Sequence, residues 1–126
     1  MLEGLTKENH NTIGFVIDAL LSGAISKEEL RAWATTVIKN NDISDIPDYM
    51  FELVDFDASA FHLYEVIGFI CDWNDSASQS KALYGIALKR GVVLGEECSP
   101  ESALKALKKH PEIEQHFRKI FPFINF

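Results

Sequence analysis

The sequence is short of every signal for export, membrane insertion or cross-linking. Only two cysteines occur in 126 residues, Cys71 and Cys98, and their spacing fits no metal-ligand motif. The longest apolar runs, such as the one at 15–17, fall far short of the roughly 20 residues that span a bilayer. The N-terminus has neither a basic leader nor an apolar core, so we expect no signal peptide. These features predict a cytoplasmic protein with two reduced, buried thiols, with a structural disulfide as the alternative.

Motifs for catalysis and cofactor binding are also missing. The chain contains no glycine-rich phosphate loop, no nucleophile elbow, and no C-x-x-C or H-E-x-x-H pair. His62 and Cys71 are spaced so that they fall on roughly opposite faces of a helix, which excludes them as a nucleophile pair. We interpret the four histidines as surface or core residues rather than metal ligands or general bases: His10, His62, His110 and His116. We therefore predict a protein that is not an enzyme and uses no cofactor or metal.

One pair of carboxylates, Asp55 and Asp57, could in principle hold a divalent cation or perform acid–base chemistry. Two carboxylates alone specify neither function. We interpret Asp57 as a helix cap and Asp55 as part of a solvated acidic surface.

Positive charge is absent from the middle of the chain. Residues 42–80 contain nine carboxylates and no Lys or Arg, whereas the whole chain has a net charge of −7. Such an acidic segment repels phosphate backbones and attracts cationic surfaces, which indicates a basic protein partner rather than nucleic acid. The alternative is that the acidic segment only keeps the protein soluble. The predicted contact surface combines carboxylates with two aromatic anchors: Asp42, Asp45, Asp48, Tyr49, Glu52, Asp55, Asp72, Trp73 and Asp75. For Trp73, a lid over the core is an equal alternative.

What the sequence does contain is helical periodicity over almost its whole length. Thr6 predicts the cap of a first helix that runs to Leu21. Ser26 and Glu29 form a capping box for the second helix, whose apolar stripe places Trp33 in the core. Pro47 fits the first turn of a third helix, with Tyr49, Met50, Leu53 and Val54 on its apolar side.

Cap and turn residues predict four further helices. The fourth runs from Asp57 to about Cys71 and is mostly buried, and Gly68 inside it indicates a close approach to another helix. The fifth ends at Arg90, before Gly91 in a left-handed cap, and Gly85 within it indicates a close approach to another helix. A sixth helix starts at Ser99 with Leu104 and Leu107 inward, and a seventh starts at Pro111. Phe121, Phe123 and Phe126 then fold back onto the core or form an oligomer contact.

These elements predict an all-α fold, a single compact domain of about seven helices spanning residues 1–126. Val92–Val93–Leu94 is the only candidate strand, and it has no obvious partner, so we expect an extended connector there. No linker rich in Gly, Ser or Pro divides the chain. We expect a monomer or a weak homodimer that binds no membrane.

Several stretches of the chain resemble the small helical immunity proteins of bacterial polymorphic toxin systems, including contact-dependent growth inhibition. They are LLSG at 20–23, SKEELRAWA at 26–34, PDYMFEL at 47–53, WN at 73–74, ALYGIA at 82–87 and FPFI at 121–124. The resemblance implies a protein that binds a cognate toxin domain, often a nuclease, and blocks it in the cytosol. An acidic adaptor or regulatory module without a toxin partner is the alternative function.

Overall fold

The fold of the chain comes from a computed structural model, which describes residues 4–58, 62–69, 77–92 and 99–124. The described residues form α-helices and one short 3-10 helix, Ile43–Asp45, and contain no strand. The seven α-helices described are α1 Asn11–Leu21, α2 Lys27–Asn40, α3 Tyr49–Leu53, α4 Leu63–Ile67, α5 Ala77–Lys89, α6 Pro100–Lys109 and α7 Pro111–Ile120. The all-α prediction is confirmed. None of these helices is long and apolar enough to cross a membrane.

The described residues group into two compact units. Unit 1 contains residues 4–20, 25–58 and 62–69, and within it α3 packs against both α2 and α4. Unit 2 contains residues 21–24, 77–92 and 99–124, and within it α5 packs against α6 and α7. The prediction of a single domain stays a prediction.

The second helix starts as its sequence predicts. The Ser26 hydroxyl accepts a hydrogen bond from the Glu29 amide at 3.2 Å, and the Glu29 carboxylate accepts one from the Ser26 amide at 2.8 Å. This reciprocal capping box satisfies two amides that the first helical turn leaves without partners. The indole of Trp33 is buried in the predicted apolar stripe. α2 is therefore a well-capped helix whose apolar face is covered.

Two predicted helices begin later than expected. α1 starts at Asn11 instead of Thr6, because Thr6 closes a tight turn in which its hydroxyl accepts from the Asn9 amide at 3.2 Å. α3 starts at Tyr49, so Pro47 precedes the helix instead of lying in its first turn. In both cases a turn uses the residues that the sequence pattern had assigned to the helix.

The fourth helix differs most from its prediction. α4 starts at Leu63, so Asp57 does not cap it, and it ends at Gly68, whose φ is +92°. The Gly68 amide donates to the Tyr64 carbonyl at 2.9 Å, which closes the helix in a left-handed cap. Gly68 is therefore a stop signal and not a site of helix–helix approach. Phe61, Ile70 and Cys71, which the prediction placed in this helix, lie outside the described residues.

In unit 2, the caps and most of the core follow the prediction. The Ser99 hydroxyl accepts from the Ser102 amide at 3.2 Å at the start of α6. α5 ends at Lys89, one residue earlier than predicted, and Gly91 follows at a φ of +85° as its left-handed cap. Beyond α7, Phe121 is buried, while Phe123 is exposed. Residues 93–94, Cys98 and Phe126 lie outside the described residues.

One prediction for α6 is wrong. Leu104 was placed inward, but it is 46% exposed, whereas Ala103, Ala106 and Leu107 are buried. A Cβ on Gly85 of α5 would lie only 2.7 Å from the Ala103 carbonyl oxygen and 2.8 Å from the Leu107 Cβ. α5 and α6 thus approach too closely for a side chain at position 85. The residues of α6 at this contact are Ala103 and Leu107, whereas Leu104 is turned away from it. The close approach predicted at Gly85 is confirmed.

Candidate functional site

The acidic part of unit 1 is built on the two sides of α3. Met50 and Leu53 are fully buried and Tyr49 nearly so, which fixes the apolar side of the helix. Phe51 and Glu52 lie on the opposite side and are exposed. Burial of one side of a short amphipathic helix therefore presents the other side to solvent.

The described carboxylates of the predicted surface are all exposed. We call this set the acidic face: Asp42, Asp45, Asp48, Glu52 and Asp55. Asp48 immediately precedes α3, and its side chain makes no capping hydrogen bond, so the carboxylate is not used by the helix. None of the five forms an ion pair with any residue that the structure describes. The acidic face thus presents uncompensated negative charge to solvent.

Two clefts bring several of these carboxylates together. One cleft, of about 660 Å³, is bordered by Glu52, Asp55 and Glu65. The other, of about 380 Å³, is bordered by Asp48 and Glu52. Asp42 and Asp45 line neither cleft; they belong to the cap and the end of the 3-10 helix Ile43–Asp45. The structure therefore assembles the carboxylates of α3 and its flanks, and leaves those of the 3-10 helix beside them along the chain.

Arg31 connects α2 to the loop that follows α3. Its guanidinium donates to the Phe56 carbonyl at 2.7 Å and lies 3.8 Å from the Asp57 carboxylate. The Asp57 side chain is almost fully exposed, so water screens this ion pair and it contributes little stability. The hydrogen bond to the partly buried Phe56 carbonyl is the stronger restraint, and it ties the loop to α2.

Tyr49 is mostly buried, although the sequence predicted it as an interface anchor. Its side chain is 7% exposed, and its hydroxyl donates to the Leu5 carbonyl at 2.5 Å. Its ring also makes an edge-on contact with Phe69, at a centroid distance of 6.2 Å. Tyr49 is a core residue that ties the N-terminal turn to α3, and it also borders the smaller cleft. Its role as an interface anchor stays a prediction. Asp72, Trp73 and Asp75 lie outside the described residues.

Sequence reasoning missed two exposed apolar residues beside the carboxylates. Ile43 is 74% exposed and Phe51 is 40% exposed. Phe51 follows Met50 by one position and precedes Leu53 by two, which at about 100° per residue turns it away from the buried stripe. A helical projection of residues 49–53 would have found it, because it is the one large apolar side chain on the acidic side. Exposed aromatics of this kind are typical of protein interfaces.

The histidines form no centre of their own. In the parts of the chain that the structure describes, no three His, Cys, Asp or Glu side chains are grouped to hold a metal ion. His10 hydrogen-bonds a backbone carbonyl, and Nδ1 of His110 lies 3.0 Å from a carboxylate oxygen of Glu112. Burial, helped by the charge of Lys119, lowers the pKa of His116 below its usual range. That the chain is not an enzyme stays a prediction.

Unit 2 differs from the acidic face in charge. The Lys89 ammonium lies 2.8 Å from the Glu114 carboxylate, and this hydrogen-bonded pair lowers the pKa of Glu114. The outer side of α6 carries exposed lysines beside Leu104: Lys105, Lys108 and Lys109. Unit 2 thus offers an outer helix surface that is positively charged, opposite in sign to the acidic face of unit 1.

No protein-family model, no curated protein and no solved structure matches this chain. The geometry and charge of the acidic face, together with the sequence resemblance described above, are therefore the basis for a function.

Proposed function

We propose that this chain is an immunity protein that binds a basic toxin domain, such as a nuclease, in the cytosol and blocks it through the acidic face. The observation that carries the proposal is that five exposed carboxylates of residues 42–55 lie in a segment without any Lys or Arg. A nuclease holds phosphates in a basic groove, so a folded surface of carboxylates can occupy that groove and exclude the nucleic acid. The resemblance to small helical immunity proteins supports the same function.

Exposed apolar residues add a second physical reason. Charge alone gives fast encounter but little affinity, because exposed ion pairs are screened by water and salt. Ile43 and Phe51 lie exposed in the same stretch of chain as the carboxylates. They supply apolar area that a partner can bury at the centre of a contact while the carboxylates form its rim.

The function is tested by co-expression. The reading frame beside this gene is examined for a large secreted protein with a variable C-terminal domain, and that domain is expressed with and without this chain. We expect the domain to arrest growth, and this chain to restore growth and to co-purify with the domain. If the neighbouring domain is harmless, or if growth is not restored, the immunity proposal is wrong. In that case the acidic face belongs to an adaptor for some other basic protein.

The role of the acidic face is tested by charge reversal in the purified complex. The triple variant Asp45→Lys, Glu52→Lys and Asp55→Lys should lower the association rate at low salt by roughly tenfold or more, since steering by complementary charge raises on-rates by about 10 to 10³. It should also flatten the dependence of that rate on salt concentration. Stopped-flow fluorescence measures both quantities.

A matched control separates the acidic face from net charge. The variant Glu8→Lys, Glu28→Lys and Glu101→Lys makes the same change in charge at exposed carboxylates outside the acidic face. We expect its association rate to stay within a few-fold of that of the unaltered protein. Equal slowing in both triple variants would show that net charge acts and that the acidic face has no special part.

A further inference from the structure

The larger cleft of unit 1 combines an apolar floor with a carboxylate border. It lies where α3 packs against α4 and has a volume of about 660 Å³. Phe51, Phe56 and Val66 supply its apolar surface, and Glu52, Asp55 and Glu65 surround them. A small polar ligand would leave the apolar floor wet, and a purely apolar ligand would desolvate the carboxylates without giving them partners.

The larger cleft adjoins the second cleft of unit 1. Glu52 and Val66 also line the second cleft of about 380 Å³, whose further walls include Leu5 and Pro47. Two adjoining clefts that share a wall form a groove across the end of α3. Such a groove suits a segment of protein chain that places successive side chains on either side of Glu52.

The charges in this groove call for cations. Among the described residues that line the two clefts there is no Lys or Arg, and the three carboxylates of the larger cleft form no ion pair with any described residue. Arg31 is bonded to the Phe56 carbonyl and lies near Asp57, so its charge is already engaged with the loop behind the cleft. A bound partner would have to supply the positive charge itself.

Building on the proposed function, we infer that this groove is where the toxin domain docks a basic amphipathic segment. Lysine and arginine have the chemistry that the groove matches, because each carries a long apolar stem and a cationic head. The stems lie along Phe51 and Val66, and the heads lie among Glu52, Asp55 and Glu65. Phe51 is the central apolar contact, and the carboxylates select the charge of the segment that binds.

The inference is tested with synthetic peptides, so that it does not depend on knowing the toxin. Three fluorescein-labelled peptides of equal length are titrated with the protein and followed by fluorescence anisotropy: one of Arg and Leu, one of Arg and Ser, and one of Glu and Leu. We expect the Arg–Leu peptide to bind at least about tenfold more tightly than the Arg–Ser peptide, and the Glu–Leu peptide not to bind. Equal binding of the two basic peptides would overturn the inference, because charge alone would then explain it.

Nuclear magnetic resonance locates the peptide on the unaltered protein. The Arg–Leu peptide should shift the backbone amide signals of Phe51, Glu52, Asp55, Glu65 and Val66, and leave those of α6 unchanged. Shifts confined to other residues would place the binding surface elsewhere. This measurement needs no variant, so it stands even if a substitution unfolds the protein.

Variants then separate the apolar floor from the carboxylates. Phe51→Ser should weaken binding of the Arg–Leu peptide by about tenfold, and Glu65→Lys should weaken it by a similar factor. Leu104→Ser and Glu101→Lys make matched changes at exposed positions of α6, and they should leave the affinity unchanged. Circular dichroism confirms that each variant is folded. An unchanged affinity in folded Phe51→Ser would refute the role given to the floor.

The outcomes distinguish this inference from the proposed function. If a neighbouring toxin is neutralised but Phe51→Ser binds it as tightly as the unaltered protein, the groove is wrong and the immunity function stands. If the peptide binds at the groove but no toxin is neutralised, the groove stands and the function is wrong. Sedimentation tests the remaining occupant, a second copy that inserts its own lysine-rich α6. Self-association lost in both Phe51→Ser and Leu104→Ser would replace the toxin segment with that copy.

Discussion

At the scale of single residues, Gly85 sets the distance between α5 and α6. A Cβ at this position would meet the Ala103 carbonyl oxygen at 2.7 Å, which is backbone and can move only with its helix. Alanine is a better helix former than glycine by about 1 kcal/mol, so an exposed Gly-to-Ala change would stabilise the helix. Here the clash outweighs that gain, since overpacking a core costs about 1–3 kcal/mol.

Gly85→Ala should therefore lower the free energy of unfolding by about 1–3 kcal/mol, as measured by urea denaturation. Lys81→Ala, at an exposed position of the same helix, should change it by less than about 0.5 kcal/mol. Adding Leu107→Ala to Gly85→Ala should not restore stability, because the Ala103 carbonyl and the Cβ at 107 both remain. A Gly85→Ala protein as stable as the unaltered one would contradict the close approach.

Residue-scale signals were the easiest to predict from sequence. Ser26 with Glu29, Ser99 before Pro100 and Gly91 after α5 all act through neighbours within a few positions, so a short window of sequence contains the whole cause. Tyr49 could not be placed in this way, because the carbonyl that its hydroxyl bonds belongs to Leu5, 44 residues away. Its acidic neighbours suggested an exposed position, whereas a contact distant in sequence buries it.

At the scale of elements, the capping box explains why α2 begins at Lys27. The first four amides of any α-helix have no hydrogen-bond partner within the helix. Here the Ser26 hydroxyl accepts from the Glu29 amide, and the Glu29 carboxylate accepts from the Ser26 amide. A helix whose start is fixed in this way holds Arg31 at a set position, and Arg31 in turn holds the loop after α3.

Ser26→Ala should lower the free energy of unfolding by about 1 kcal/mol, because the Glu29 amide loses its acceptor. Thr35→Ala is the matched control, because it also removes one hydroxyl. The Thr35 hydroxyl donates to the Arg31 carbonyl at 2.9 Å, within α2, and caps no helix end. Thr35→Ala should be neutral or slightly stabilising. Thermal unfolding followed by circular dichroism compares the two, and equal losses in both variants would argue against the cap.

The predicted bounds of a helix were wrong where its apolar residues defined no single face. The segment predicted as the fourth helix is apolar on nearly every side, so no stripe marked where it should stop, and Gly68 looks the same in sequence whether it lies inside a helix or ends it. The orientation predicted for Leu104 in α6 was wrong for a different reason. Ala103 and Leu107 meet Gly85 of α5, so a contact with another helix defines the inward side of α6, and the hydrophobicity of Leu104 did not indicate that side.

At the scale of the whole molecule, the charge pattern along the chain predicted the acidic face but not its clefts. The absence of Lys and Arg from residues 42–80 is visible in the sequence alone, and all seven carboxylates of this segment that the structure describes are exposed. Glu65 and Val66 join Phe51 and Asp55 only because α4 packs against α3, and no pattern in the sequence indicated that pairing. The contact surface was thus predictable as a charge and not as a shape.

Also at this scale, one hydrogen bond connects the end of α5 to the segment at 21–24, which belongs to the same unit. The Arg90 guanidinium, at the end of α5, donates to the buried Ala24 carbonyl at 2.5 Å, across 66 residues of sequence. Arg90→Met should lower the free energy of unfolding by about 1–3 kcal/mol, because it leaves that carbonyl without its donor. Lys81→Met removes a cation from an exposed position of the same helix and should have little effect. Urea denaturation measures both, and an unaffected Arg90→Met would show that water replaces the guanidinium.

That bond also has a consequence for the order in which the protein is made. Ala24 leaves the ribosome long before Arg90, and the larger part of unit 1, Ile25–Asn74, is synthesised between them. Nascent chains fold from the N-terminus, so unit 1 has its described helices available while unit 2 still waits for α5, α6 and α7. The Ala24 carbonyl stays hydrated during that interval. The hydrogen bond between Arg90 and Ala24 therefore joins a late part of unit 2 to its earliest part, and it forms only after α5 has been synthesised.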